Sequence, residues 1–463
     1  MQASYFNVEI PLKDGGYLIY NSISKVIVRL SSDERRDYDA GLFEDPYYSS
    51  WMILRDKQML VKSSEAQLVR LKSNDIFVKK TNPSIMSLTL MMSESCNFSC
   101  SYCNQGQNKE KAILTREVVD QVIGYVGLQT GLSELNISWY GGEPLLSYDK
   151  ILEYSGIIKE FCESSGIHYK GSIVTNGYLL SRERAQGLLG VGISLAQVTL
   201  DGSRIDHNAS RFANSKQDTY EIIMQNIGDA LSNTELSIAL RVNVTRSNSS
   251  GLYSLIDDIK CRSLVNKRLS IYFAAVYDPS LSEISDCSDV SDELVSQDRT
   301  YALSELDLLK YADCMGLKVA LDIDEHEGDC LVTRSNSFAI DPKGNLFKCY
   351  IPITNKQYSV GNVTDFDGVH RDETFLKWDS WTAFSENGCK NCKLLGSCRG
   401  GCPLHFVSEP HKNLGSHCPT SKYAFNEHIF RRAVLQGLAD EIDWDEDLSV
   451  TKPDSLVFYP VNK

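Results

Sequence analysis

Residues 91–107 read MMSESCNFSCSYCNQGQ and place three cysteines, Cys96, Cys100 and Cys103, within eight positions. A structural zinc site closes on four ligands, so three thiols on one loop leave one position unfilled. Three thiolates can instead hold three irons of a [4Fe–4S] cube and leave the fourth iron open for chemistry. The spacing alone leaves both readings standing, the second being half of a zinc site completed from elsewhere.

Working outward, SLTLMM is a short apolar run leading into the cysteines, and Thr115 opens an amphipathic helix carrying Val118, Val119, Val122, Ile123 and Val126. LNISWY alternates Leu135, Ile137 and Trp139, and GSIVTNG, LAQVTLDG, LSIALRVNVT and LSIYFAAVY supply further strands with helical patterns between them. Strands alternating with helices imply a parallel sheet with right-handed crossovers. About six β/α units over residues 84–320 predict an α/β fold, a partial (β/α)6 TIM-like barrel whose site is built by the loops after the strands.

The chain has 463 residues, 42% hydrophobic and 23% charged, which predicts two or three domains with a sizeable core. No N-terminal apolar stretch with a basic flank and no run of about 18 apolar residues appears, so a cytoplasmic protein is expected. The net charge of -14 argues against nucleic acid or a membrane surface as partner and favours a basic or polar peptide. Fourteen cysteines without a signal peptide point to metal rather than disulfides. Cys162, Cys261, Cys287 and Cys314 lie outside any pattern and are expected to be small buried hydrophobes.

The cysteine loop, with Tyr102 before its third thiol, and YGGEP (Tyr140 to Pro144) after the second strand together resemble the radical S-adenosylmethionine (SAM) enzymes. The resemblance implies that the amino and carboxylate groups of SAM chelate the open iron. An electron from the cluster then cleaves the sulfonium, and the 5′-deoxyadenosyl radical released takes a hydrogen atom from a substrate C–H bond. It also implies an external electron donor of flavodoxin or ferredoxin type. Gly141 and Gly142 are expected to let backbone approach a ligand, and Glu143 to accept from the SAM ammonium. Thr175, Asn176 and Gly177 end the third strand, and Thr199, Asp201 and Gly202 the fourth; both resemble family loops beside the ribose and carboxylate of SAM. Asn243 lies at a fifth strand end. For Asn176, Thr199 and Asn243, ordinary turn or strand-end hydrogen bonding is the competing reading.

Seven more cysteines follow: Cys330, Cys349, Cys389, Cys392, Cys398, Cys402 and Cys418. Their spacing resembles the SPASM extension of radical SAM enzymes, which binds two auxiliary [4Fe–4S] clusters and would occupy residues 325–425. By that resemblance Cys389, Cys392, Cys398 and Cys418 hold the outer cluster and Cys330, Cys349 and Cys402 the inner one, making three clusters in all. Many relatives place an eighth cysteine just before the position of Cys330; LDIDEHEGDC has none, which leaves an open iron or Asp324, His326 or Cys314 as the fourth ligand.

Residues 16–30 read as two β-rich runs around a polar NSIS turn, followed by a polar helical stretch and a segment of mixed helix and strand signals. Residues 1–80 are expected to form a hairpin plus winged-helix-like unit, or else a plain extension packed on the barrel, and residues 426–463 a helix and tail. YLIYNSIS resembles the opening of maturases of ribosomally made peptides, whose winged-helix unit captures a leader peptide at a sheet edge. The expected function is radical maturation of a ribosomal precursor peptide, by crosslink or oxidation. A sulfatase-type maturase and a non-catalytic zinc scaffold are the alternatives.

Overall fold

The computed structural model describes residues 1–43, 49–75, 82–103, 105, 111–213, 217–276, 295, 298–319, 330–365, 373–385, 388–407 and 418–440. In the N-terminal segment a short strand β1 (Gln2–Ala3) precedes an antiparallel meander of β2 (Asn7–Pro11), β3 (Tyr17–Asn21) and β4 (Val26–Leu30). The runs on either side of NSIS thus form the expected hairpin. NVEIP adds a third strand that was not expected there, and its terminal Pro11 suits an edge. Helices α1 (Ser32–Asp39), α2 (Ser49–Asp56) and α3 (Ser64–Ser73) follow, with β5 (Leu60–Val61) between the last two and paired to β1. Ser31 and Glu34 form a reciprocal capping box at the start of α1.

Side chains alternate along β3, and both of its faces are buried. Ile19 packs with Leu30 of β4 and with Tyr38, Trp51 and Leu54 of the unit's own helices. Leu18 and Tyr20 turn the other way, with Val8, Ile10 and Ile27, into a core shared with Cys392, Leu394, Phe425 and Ile429. Among the described residues, this face of the meander covers the C-terminal cysteine region.

The central sheet follows from strands with one apolar face. β6 (Ile85–Met91), β7 (Glu134–Tyr140), β8 (His168–Thr175), β9 (Ile193–Thr199), β10 (Ser237–Val244), β11 (Leu269–Ala275) and the short β12 (Lys318–Val319) lie side by side in sequence order, all parallel. Helices α4 (Arg116–Gly127), α5 (Tyr148–Ser164), α6 (Arg182–Gly190), α7 (Arg204–Ser210), α8 (Thr219–Asn233), α9 (Leu252–Cys261) and α10 (Arg299–Cys314) fill the crossovers, giving the six expected β/α units. Leu135, Ile137 and Trp139 of β7 are buried in the helix-facing core, where the Trp139 indole N–H donates to Ser155 on α5 at 2.9 Å. The alternate positions form a polar inner wall. Asn136 donates to Ser87, the Tyr272 hydroxyl to Gln197 at 2.8 Å, and Arg241 to Asn243 at 2.7 Å. Alternation thus places hydrophobes toward the helices and hydrogen-bonding groups toward the space enclosed by the sheet.

Beyond β6 the sheet continues with a parallel strand, β13 (Phe338–Ile340), then the antiparallel β14 (Asn345–Phe347) and β15 (Ser359–Asn362). Short helices α11 (Glu373–Asp379), α12 (Leu395–Cys398) and α13 (Leu404–Val407) accompany the later cysteines, and α14 (Phe425–Leu435) closes the described chain. Among the scattered cysteines, Cys162 is buried as expected, whereas Cys261 and Cys314 are exposed at helix ends. Cys287 lies outside the described residues.

The loop carrying Cys389, Cys392 and Cys398 is clamped to the N-terminal meander. The Tyr20 hydroxyl meets that of Ser397 at 2.5 Å, Ser22 donates to the Lys393 carbonyl at 2.6 Å, and Tyr5 to the Asn391 carbonyl at 2.6 Å. Gly396 sits so close to the turn after β3 that a Cβ would stand 2.5 Å from the Ser22 carbonyl oxygen. Gly396→Ala should therefore push this loop off the meander and cost roughly 1–3 kcal/mol, read as a lower denaturant midpoint. An unchanged midpoint would mean that the contact yields without strain.

Candidate active site

The first three thiols lie on the loop that follows β6. Two isolated bridges, Ser93 with Ile113 and Phe98 with Ala213, fix its ends. Ser99 and Ser101 donate backbone N–H groups to the carbonyls of Phe212, just beyond α7, and of Ser210, its last residue. Phe98 is buried with its ring edge-on to Tyr178. Burial pushes the Cys100 thiol up to about 11, with Arg211 opposing, and Cys103 and Cys96 are the next charged neighbours.

Against this loop lies YGGEP. The Gly142 N–H donates to the Ser93 carbonyl at 2.8 Å and the Glu143 N–H to the Ser95 carbonyl at 2.9 Å. A Cβ on Gly141, whose φ is +140°, would sit 2.3 Å from the Ser93 oxygen; one on Gly142 would sit 2.3 Å from the Glu94 and Ser95 oxygens. A close approach that demands glycine here is to the cysteine loop's own backbone.

Glu143 is 2% exposed. Its Oε1 accepts from the Leu145 N–H at 2.9 Å and the Thr175 hydroxyl at 2.8 Å, and its Oε2 from the Asn176 N–H at 2.7 Å. Burial raises its carboxyl, and those three donors pull it back. A carboxylate offers about four acceptor positions, so one remains on Oε2 for a further donor such as an ammonium. Asn176 spends its side chain on the loops themselves: Nδ2 donates to Asn97 at 2.8 Å, and Oδ1 accepts from the Tyr178 N–H at 3.0 Å.

Beside Cys100, the second thiol, is a buried polar cluster. Tyr102 donates to Asp201, Arg211 to the Tyr102 hydroxyl at 2.9 Å, and Asn243 to the same hydroxyl at 3.2 Å. The Asn243 N–H donates to Asp201 at 3.0 Å, and Arg211 stands 3.8 Å from Asp201. Burial raises the Asp201 carboxyl while Arg211 lowers it. Thr199 ends β9 buried nearby in sequence, and Tyr140 stacks at a tilt on Tyr350, next to Cys349. Sequence reasoning missed Arg211, Arg241 and Asn97. Arg241 was findable, because it occupies an inward position of LRVNVT two residues before Asn243.

The remaining thiols form two further groups. Burial pushes Cys398 up to about 12, and its thiol neighbours are Cys392, Cys418 and Cys389. Burial likewise raises Cys349 and Cys330; Cys349 neighbours Cys402 and Cys330, and Cys330 neighbours Cys402. Asp324 and His326 lie outside the described residues. Among the described residues no three His, Cys, Asp or Glu side chains are placed to close on a single metal ion.

Residues 90–236 match the Radical SAM superfamily model. The chain carries a radical SAM domain. It is an enzyme that uses SAM and a [4Fe–4S] cluster, which removes the zinc-scaffold alternative. Two curated relatives are the radical SAM cyclopropyl synthase TigE of Paramaledivibacter caminithermalis and a cysteine-type anaerobic sulfatase-maturating enzyme of Clostridium perfringens. TigE is 22% identical, over 72% of this chain and 71% of the relative. The second is 22% identical, over 76% and 98%. Among solved structures, native anSMEcpe with bound AdoMet and Cp18Cys peptide superposes with a TM-score of 0.58 at 17% identity, covering 76% of this chain and 97% of that one. Streptococcus suis SuiB bound to its precursor peptide SuiA superposes with a TM-score of 0.52 at 12% identity, covering 90% and 99%. The radical SAM fold is therefore common to all of them. No helix among the described residues is long and apolar enough to cross a membrane.

The satisfied state of Glu143 yields a test. A glutamine there must turn an NH2 toward at least one N–H or O–H donor. Glu143→Gln should destabilise the enzyme by about 1–3 kcal/mol without SAM present, besides weakening SAM binding. A variant with unchanged melting and weaker SAM binding would make Glu143 a ligand contact alone.

Proposed function

We propose that this enzyme is a radical SAM maturase of a ribosomally made precursor peptide. In this reading Cys96, Cys100 and Cys103 hold the SAM-binding cluster, and Tyr140, Gly141, Gly142, Glu143, Asn176, Thr199 and Asn243 form the SAM site. Cys389, Cys392, Cys398 and Cys418 hold an outer auxiliary cluster, with Cys330, Cys349 and Cys402 holding an inner one. When bound, SAM and its cluster supply a carbon radical that removes hydrogen from the peptide. The chain's own part is to orient: the polar inner wall of Arg241, Gln197 and Tyr272 offers hydrogen bonds to a peptide backbone, and the sheet keeps bulk water from it. Electrons come from a flavodoxin- or ferredoxin-type donor, and the setting is cytoplasmic.

The observation that carries the reading is the open edge of the N-terminal meander. β4 is an edge strand with half-exposed Val26 and Val28. Among the described strands β4 pairs with β3 alone. An extended peptide can add there as a strand. The SuiB match covers 90% of this chain, too much to omit the whole of residues 1–83, and the SuiB structure holds a precursor peptide.

The sulfatase-type reading keeps one specific support, the 98% coverage of the Clostridium perfringens enzyme. The two separate on a synthetic peptide encoded by a short reading frame beside this gene. The precursor reading predicts a product lighter by a pair of hydrogens and slowed amide exchange at residues 26–30 on peptide addition. Equal turnover of a leaderless peptide, with no protection of β4, would favour the sulfatase type and refute leader capture.

A further inference from the structure

Each auxiliary thiol group is built beside a buried lysine. In the outer group Lys422 is 9% exposed, on the 3-10 turn Thr420–Ala424 that follows Cys418. Its Nζ lies 2.7 Å from the Cys418 Sγ and donates to it. The turn is held in place: the Lys422 N–H donates to the Pro419 carbonyl at 3.0 Å, and Thr420 donates to Glu305 on α10 at 2.9 Å. In the inner group Lys348, 1% exposed and adjacent in sequence to Cys349, donates to the Ser337 carbonyl at 2.9 Å and the Arg334 carbonyl at 2.5 Å.

Burying a lysine is costly unless an anion or several acceptors receive it. One acceptor of Lys422 is the sulfur of Cys418, a candidate cluster ligand. A cluster's potential follows its net charge and the hydrogen bonds to its sulfurs, and reduction adds one negative charge. A fixed cation donating to a ligand sulfur stabilises the reduced state.

We propose that Lys422 is the positioning cation of the outer cluster, offsetting the charge of its four thiolates and raising its reduction potential. The proposal rests on the three-cluster reading above. Without such a cation, electron transfer through this cluster would meet a site harder to reduce, in a chain whose net charge is already -14.

The test compares the anaerobic, cluster-loaded full chain with its Lys422→Gln and Lys422→Arg variants, by iron count and by redox titration followed with electron paramagnetic resonance. Lys422→Gln should keep its iron and move one auxiliary signal to a more negative midpoint. Lys422→Arg should leave that midpoint near the wild-type value, and the signal of the SAM-binding cluster should not move in either. Should Lys422→Gln lose the outer iron while Lys422→Arg retains it, the requirement for charge stands. Unchanged midpoints in Lys422→Gln, or equal iron loss in both variants, would overturn it. A wild-type chain holding about four irons would instead refute the three-cluster reading, and this proposal with it.

Discussion

The site depends on a short backbone seam. Two hydrogen bonds, from Gly142 N–H to Ser93 and from Glu143 N–H to Ser95, join the loop after the second core strand to the stem of the cysteine loop. The seam closes only because neither Gly141 nor Gly142 carries a side chain. It fixes Glu143, two of whose three accepted hydrogen bonds come from the third strand's end, where Asn176 in turn holds Asn97 between the first two thiols. One residue thus connects three strand ends. The thiol triplet is presented by a network of loops, which a lone flexible segment would not position to the same accuracy.

A second dependence runs the length of the chain. The meander at residues 7–30 shares a core with α14 and with the loop of Cys392 and Cys398, so the first and last described segments pack together. A segment read as a detachable recognition unit is also a wall of the outer thiol group. Cations are placed with similar economy. Arg211 stands by Cys100, Lys348 next to Cys349 and Lys422 on Cys418, so every thiol group has a buried positive charge beside it.

The core was legible because its signals are local. Alternation in LNISWY and LSIALRVNVT marks strands with one apolar face, and thiol spacing marks loops. The third meander strand was not legible, since NVEIP is short and acquires its burial from residues almost 400 positions away. The roles of Gly141 and Gly142 were half legible: glycine signals a close approach, but only the fold shows that the Cys96 loop is the neighbour. Arg211 was hidden because a buried arginine on the run after α7 has no periodic signature; its place is set by Asp201 and Tyr102 in distant segments.

The seam is tested most directly by the amount of 5′-deoxyadenosine that Gly142→Ala releases from SAM under dithionite, relative to the unmodified enzyme. A Cβ there would stand 2.3 Å from two carbonyl oxygens of the cysteine loop's stem, so the thiols would lose their placement. The account predicts that release is nearly abolished in a protein that still folds. Release at the unmodified rate would contradict it.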